Sequence, residues 1–296
     1  MTPSRPAPAG HASPVPLAGP RRWALVAALA RACHLEPTVA VTAVAAALAA
    51  AVGRDAAGVL AVAAAVLAGQ LSVGWHNDYL DRDRDSSTAR PDKPVALGVL
   101  GARAVRRAAT GAGLAAVPLS LLSGLVPGML HIAAVASAWS YNLRLKSTPV
   151  SVLPYAVSFG LLPAFVVAGL PGHPPPPAWL VAAGALLGCG AHFANVLPDL
   201  ADDLGTGVCG LPHRLGPSVS RITAATLLVT ASAVVALGPP GGFAPVGVAT
   251  VAVSAVVAVG GLWLGRRPGS RAAFLAVLVL AMADVVLLLA AGRGLS

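Results

Sequence analysis

The sequence predicts an all-α polytopic membrane protein, a bundle of nine transmembrane helices around a central cavity open to the cytoplasmic side. Three observations predict it. Of 296 residues, 56% are hydrophobic and only 10% charged, with a mean hydropathy of +0.78. Soluble domains carry about a quarter charged residues, so lipid is the expected solvent. The apolar residues fall in long continuous runs without strand-like alternation, which leaves helices as the spanning structure. The basic residues collect at every second break between those runs.

The elements follow in order. Residues 1–22 are rich in Pro, Ala and Ser and hold no apolar run. They are expected to be a disordered tail, with 23–296 as a single domain. No cleavable signal pattern precedes the first apolar run. The apolar segments are 36–53, 56–79, 103–123, 126–143, 149–170, 178–200, 218–237, 243–265 and 271–292, most of them near the length of about 20 residues that crosses hydrocarbon. Gly53-Arg54-Asp55, Pro127-Gly128, Pro171–Pro177, Gly238–Gly241 and Arg266–Gly269 punctuate them. Their content is largely Ala, Val, Leu and Gly, residues that let helices pack closely in lipid.

Orientation follows from charge. With the N-terminus cytoplasmic, all Lys and Arg except Arg54 and Arg293 fall on one side. They lie in the tail, the second-to-third loop, and the fourth-to-fifth, sixth-to-seventh and eighth-to-ninth loops. The expected location is the inner (plasma) membrane, with those loops cytoplasmic. This bias also accounts for the net charge of +9 without nucleic acid. Cys33, Cys189 and Cys209 show no metal-binding spacing and read as inert small residues.

Eight of the eleven acidic residues sit in two clusters, at the cytoplasmic ends of the second and sixth segments. Asn77, Asp81 and Asp85 are spaced i, i+4, i+8, as are Asn195, Asp199 and Asp203, and residues four apart share a helix face. Asp78 joins the first face. A bare ladder of carboxylates repels itself and is costly at a membrane interface. It becomes favourable with hard cations between the carboxylates. Mg²⁺ needs only one or two carboxylates and completes its shell with water and substrate phosphates. Two facing ladders would hold Mg²⁺ around a diphosphate. Asp83, between Arg82 and Arg84, reads as a solvated, paired acid, and Asp202 has no assigned role.

At these residues the chain resembles the UbiA superfamily of intramembrane prenyltransferases, over roughly 30–292. The family's NDxxDxxxD and DxxxD motifs stand here as Asn77-Asp78-x-x-Asp81-x-x-x-Asp85 and Asp199-x-x-x-Asp203. Arg90–Pro94 resembles the stretch that follows its first motif, and Tyr141–Lys146 its Tyr-x-x-x-x-Lys element. The resemblance implies a chemistry. An isoprenoid diphosphate bound through Mg²⁺ ionises to an allylic carbocation, which a small acceptor, usually an aromatic ring or quinone precursor, attacks. Asp78, Asp81, Asp85, Asp199 and Asp203 are the expected Mg²⁺ ligands, with Mn²⁺ able to substitute. Asn77, Asn195, Arg90, Lys93 and Lys146 are candidate diphosphate contacts or orienters. Tyr141 faces either the carbocation or the diphosphate.

His76 and His192 read as hydrogen-bonded helix histidines or as contacts of the acceptor or metal. Asp284, a lone acid in the last segment, reads either as functional or as a hydrogen bond to a neighbouring helix. Pro198 is expected to kink the sixth helix and re-aim Asp199. Alternatives remain. One is a membrane terpene cyclase of the same superfamily without external acceptor, disfavoured by the 4% aromatic content. The resemblance also allows phosphoribosyl transfer to a polyprenyl phosphate. The last is a cation-coupled transporter, whose acids would lie nearer the midplane, with repeat symmetry.

Overall fold

The computed structural model describes residues 22–87, 93–239, 245–267, 270 and 272–291. Among them there is no strand. The helices are α1 (Arg22–Ala32), α2 (Leu35–Ala51), α3 (Ala56–Ser87), α4 (Ala102–Leu121), α5 (Leu125–Leu143), α6 (Leu153–Ala168), α7 (Ala178–Val196), α8 (Leu200–Gly205), α9 (Leu211–Leu237), α10 (Pro245–Leu264) and α11 (Ala272–Ala291). By length and composition, Ala56–Ser86, Ala178–Gly205 and Leu211–Leu237 are long and apolar enough to cross a membrane. The pair α1–α2, bent by 71°, makes a fourth when counted as one span. The segments 153–168, 247–261 and 275–284 are shorter apolar helices.

Successive helices pack on one another along the chain, with α7 meeting α9 directly and the short α8 resting on α9, and α11 returns to α2 to close a ring. Arg54 Nη1 donates to Ser123 Oγ at 3.0 Å, which brings the α2–α3 and α4–α5 turns to one end. Burial lowers the Arg54 guanidinium from its ordinary range, against the opposing pull of Asp55. Asp55 Oδ1 accepts from Gly58 N–H at 2.8 Å and so caps the start of α3. The acidic clusters gather at the other end. The main apolar core joins Leu48, Val62, Val66, Phe165, Val167 and Leu180 from α2, α3, α6 and α7.

The chain differs from its sequence reading at two places. First, the apolar segment 56–79 is only part of its helix: α3 runs on through the acidic motif to Ser87, a length of 32 residues. A span needs about 20, so the last turns project beyond hydrocarbon thickness. Hydropathy ends where the charges begin, but the helix continues. Its polar turns are held by Arg82 on the Tyr79 carbonyl, Arg84 on Asp81 and Ser86 on the Arg82 carbonyl. Second, α1 precedes the first expected segment. Trp75 Nε1 donates to the Leu29 carbonyl at 2.9 Å, and Ala28 and Ala32 are fully buried. The expected tail up to residue 21 lies outside the described residues.

α6 and α7 meet backbone to backbone. A Cβ on Gly184 would stand 2.5 Å from the Phe159 carbonyl oxygen, and one on Gly188 2.6 Å from that of Tyr155. The four-residue spacing matches on both helices, as in small-xxx-small membrane pairs. Elsewhere, Ser232 Oγ donates to Asp284 Oδ2 at 3.0 Å between α9 and α11. The lone acid therefore makes the interhelical hydrogen bond that was one of its two readings.

Gly188→Val is expected to push α7 off α6 and to cost about 1–3 kcal/mol, seen as a lower thermal midpoint in detergent. Asp284→Asn keeps an acceptor for Ser232 and should leave that midpoint within a degree or two of wild type. Asp284→Ala should lower it, by about 1 kcal/mol in stability.

Candidate active site

The first acidic motif lies on the last three turns of α3. Asp78, Asp81 and Asp85 are all buried, Asp78 to within 1%. Carboxylates held this far from water require nearby positive charge. Two segments supply it from outside the helix. Lys93 Nζ lies 3.1 Å from Asp78 Oδ1 and 3.8 Å from Asp85 Oδ2. Lys146, in a 3-10 turn at Leu145–Ser147 after α5, pairs with Asp81 Oδ1. Burial lowers the Lys146 ammonium from its ordinary range, and Asp81 beside it pulls the other way. Asn77 Nδ2 donates to Asp81 Oδ2 at 2.9 Å and stands 3.4 Å from Asn142 Oδ1. Asn142 Nδ2 donates in turn to the Val73 carbonyl at 3.0 Å. The i, i+4 register of Asn77 and Asp81 is thus realised as a direct bond.

The second motif sits where the helix changes its winding. α7 ends at Val196, and the turns that carry Asp199 and Asp203 run on from it within the span Ala178–Gly205. Pro198 has no N–H, and its ring clashes with the carbonyl four residues back. The chain passes through a 3-10 turn at Leu197–Asp199 before the short α8 begins. At Pro198 the helix tightens locally, with Asp199 at φ −104° and ψ 3°, inside one continuous span. Asn195 contacts the Tyr155 hydroxyl, Asp199 is half-buried, and Asp203 extends from α8.

Arg84 joins the two motifs. Its Nη2 lies 2.9 Å from Asp81 Oδ2, its Nη1 3.6 Å from Asp203 Oδ1 and its Nε 3.8 Å from Asp85 Oδ1. One planar guanidinium therefore spans from α3 to α8. Sequence reasoning grouped Arg84 with the loop cations, although its place three residues after Asp81 puts it on the same helix face. Arg82, by contrast, pairs with the exposed Asp83 at 3.0 Å, as expected for a solvated pair. Asp202 is exposed. Arg90 lies outside the described residues.

Aromatic side chains lie beside the second motif. Tyr141 meets Tyr155 edge-on at 5.1 Å and His192 at 5.6 Å, and Tyr155 stacks on Phe159 at 6.1 Å. Tyr141 thus faces aromatic neighbours. His192 is fully buried, with Nε2 at 3.0 Å from Ser151 Oγ, and His76 stacks on Trp139 at 4.0 Å. His213, which sequence reading passed over, places Nε2 3.2 Å from Asp203 Oδ2. Its only sequence signal is its position at the start of the helix after the second motif. A cavity lined by Val66, Gly69, Gln70, Val73, His131 and Phe159 lies between α3, α5 and α6. Its lining reaches to one turn before Asn77.

The donor set suits a hard cation in kind, since it consists of carboxylate oxygens. Among the described residues no three His, Cys, Asp or Glu side chains converge on one point. An all-protein cage of the kind that holds Zn²⁺ or Ca²⁺ is thus absent there. Mg²⁺ bound through one or two carboxylates and a substrate's phosphates needs no such cage. Lys93, Lys146 and Arg84 occupy the positions between carboxylates.

Comparisons with known proteins agree on this architecture. The model of the UbiA prenyltransferase family matches residues 38–283. A 136-residue stretch is 35% identical to the 4-hydroxybenzoate octaprenyltransferase of Nitrosomonas eutropha, covering 45% of this chain and 47% of that protein. The chain thus spans about half the length of that relative. A UbiA homologue from Aeropyrum pernix K1 superposes with a TM-score of 0.65 at 21% identity, over 85% of this chain and 97% of the other. A UbiA homologue from Archaeoglobus fulgidus, bound to GPP and Mg²⁺, gives 0.64 at 14% identity, over 89% and 99%. At those identities the structures speak for the fold. With the family model matched over most of its length, the chain belongs to the UbiA prenyltransferase family.

Proposed function

We propose that the protein is a Mg²⁺-dependent integral membrane prenyltransferase. It ionises an isoprenyl diphosphate and transfers the prenyl group to a small aromatic or quinone-precursor acceptor. The observation that carries this reading is the single guanidinium shared by Asp81 and Asp203, which puts the two acidic motifs within one side chain's reach of each other.

In this reading Asp78, Asp81, Asp85, Asp199 and Asp203 hold the metal. Bound Mg²⁺ supplies Lewis-acid neutralisation of the charge that develops on the leaving diphosphate. The chain's own residues do the rest. Lys146, Lys93 and Arg84 turn from carboxylates to phosphate oxygens, with Arg90 and Asn195 completing the diphosphate shell. Fixed cations aimed at that charge stabilise the transition state more than the ground state. Asn77, tied to Asn142, keeps Asp81 in place while Lys146 moves. The apolar interior of the bundle takes the isoprenoid chain and keeps water from the carbocation. The domain is 23–296, its nine spans being α2 to α7 and α9 to α11, with the α3–α4, α5–α6 and α7–α9 connections cytoplasmic. The gathering of these three connections at one end supports that sidedness.

The acceptor class to test first comes from the relative's name, 4-hydroxybenzoate, and the donor class from the prenyl diphosphates of the solved neighbours. The cluster of Tyr141, Tyr155 and Phe159 supports a second reading, cyclisation of the cation without an acceptor, since ring faces stabilise cations.

Purified protein should release diphosphate from geranyl, farnesyl or geranylgeranyl diphosphate only with Mg²⁺ or Mn²⁺, and EDTA should abolish the release. Asp81→Ala and Asp199→Ala should each lower the rate by about 10²–10³-fold; full activity in either would defeat the two-motif mechanism. Mass spectrometry of an organic extract from an expressing host should give a prenylated aromatic. A cyclic hydrocarbon would select the second reading. Ion flux without turnover of any allylic diphosphate would select a transporter.

A further inference from the structure

The connection from the second motif to α9 is tied down more tightly than a loop between helices requires. Gly210 caps α9, and its backbone N–H donates to His213 Nδ1 at 3.1 Å. That assigns the ring's proton. A backbone N–H can only donate, so Nδ1 carries the lone pair and the neutral ring is protonated at Nε2. The Nε2–H therefore donates to Asp203 Oδ2, 3.2 Å away. The imidazole side chain is 2% exposed. Its segment is fixed from behind as well. Leu211 N–H donates to Ser151 Oγ at 2.9 Å. A Cβ on Gly210 would come within 2.5 Å of the Lys146 carbonyl oxygen. Asp203 is thus held at one oxygen, Oδ2, while its Oδ1 faces Arg84 and the first motif.

We propose that His213 is the positioning residue of the second acidic motif. Its neutral imidazole ties down Asp203 Oδ2 and leaves Oδ1 as the atom presented to a divalent cation between the motifs. The proposal rests on the reading above, in which Asp203 binds that cation. The competing account makes His213 only the cap of α9, acting through Gly210. The two accounts use different nitrogens, and two substitutions separate them. His213→Asn puts an amide oxygen near the position of Nδ1 and keeps the cap, but is too short to reach Asp203. His213→Gln puts an amide N–H₂ near Nε2 and keeps the carboxylate contact, but gives up the cap.

The experiment titrates the full chain in detergent with Mn²⁺ in the presence of inorganic diphosphate. Bound metal is read by electron paramagnetic resonance, and thermal unfolding is followed in parallel without metal. Hydrogen-bond partners of ligating side chains are worth about 10–100-fold in affinity. His213→Asn should therefore weaken Mn²⁺ binding about tenfold or more with an unchanged unfolding midpoint. His213→Gln should bind Mn²⁺ close to wild type even where its midpoint falls. Wild-type affinity in His213→Asn, equal weakening in both variants, or no Mn²⁺ binding by the wild type overturns the proposal. Wild type that binds Mn²⁺ in this way but turns over no prenyl diphosphate sinks the transferase reading and leaves the role of His213 standing.

Discussion

Carboxylates that share a buried pocket repel one another, and the repulsion grows as water is excluded. Asp78, Asp81 and Asp85 are three such groups on one helix, and Asp203 approaches them from another. Three cations drawn from three places hold them together. Lys93 comes from the α3–α4 connection, Lys146 from the α5–α6 connection, and Arg84 from the helix itself. Removing one partner of a buried pair typically costs about 3–5 kcal/mol, because the charge left behind has no water. The connections at this end of the bundle are therefore part of the site.

The rest of the fold brings those charges together. α3 is long enough to carry its acids beyond the hydrocarbon while its first turns pack in the core. The contact of α6 and α7 through Gly184 and Gly188 sets Tyr155 against Asn195 and His192. α1, bent from α2 at His34, brings His34 Nε2 to 3.2 Å from Lys93 Nζ, so even the first helix bears on the acidic end. Apolar packing fixes where the helices stand, and their ends supply the chemistry.

What was legible in the sequence follows from what each interaction depends on. The helices were legible because lipid solvation imposes long apolar runs. The first motif was legible because its members are neighbours on one continuous helix, as the Asn77–Asp81 bond shows. The whole of α1 was not, since the docking of Trp75 holds it rather than hydropathy. In the second motif the helix tightens into a 3-10 turn at Leu197–Asp199, which spacing alone does not report, although Pro198 at its centre was visible. Arg84 and His213 were hidden for a different reason: their contacts with Asp203 depend on where α8 folds against α9.

Helix ends differ in how much variation in chain length they tolerate. α3 delivers Asp81 and Asp85 as rungs of one rigid rod. Asp203 is reached only after the chain has left α7, turned through Leu197–Asp199 and wound α8, and it is fastened from the far side by the start of α9. The distance along the chain from Asp203 to His213 is thus a measured span. Surface connections ordinarily absorb insertions and deletions without consequence. Here a single added or lost residue would rotate or shift the imidazole relative to the carboxylate it holds. Among relatives that keep a histidine at this place, the stretch from Leu204 to Gly210 should therefore vary in composition but hardly in length.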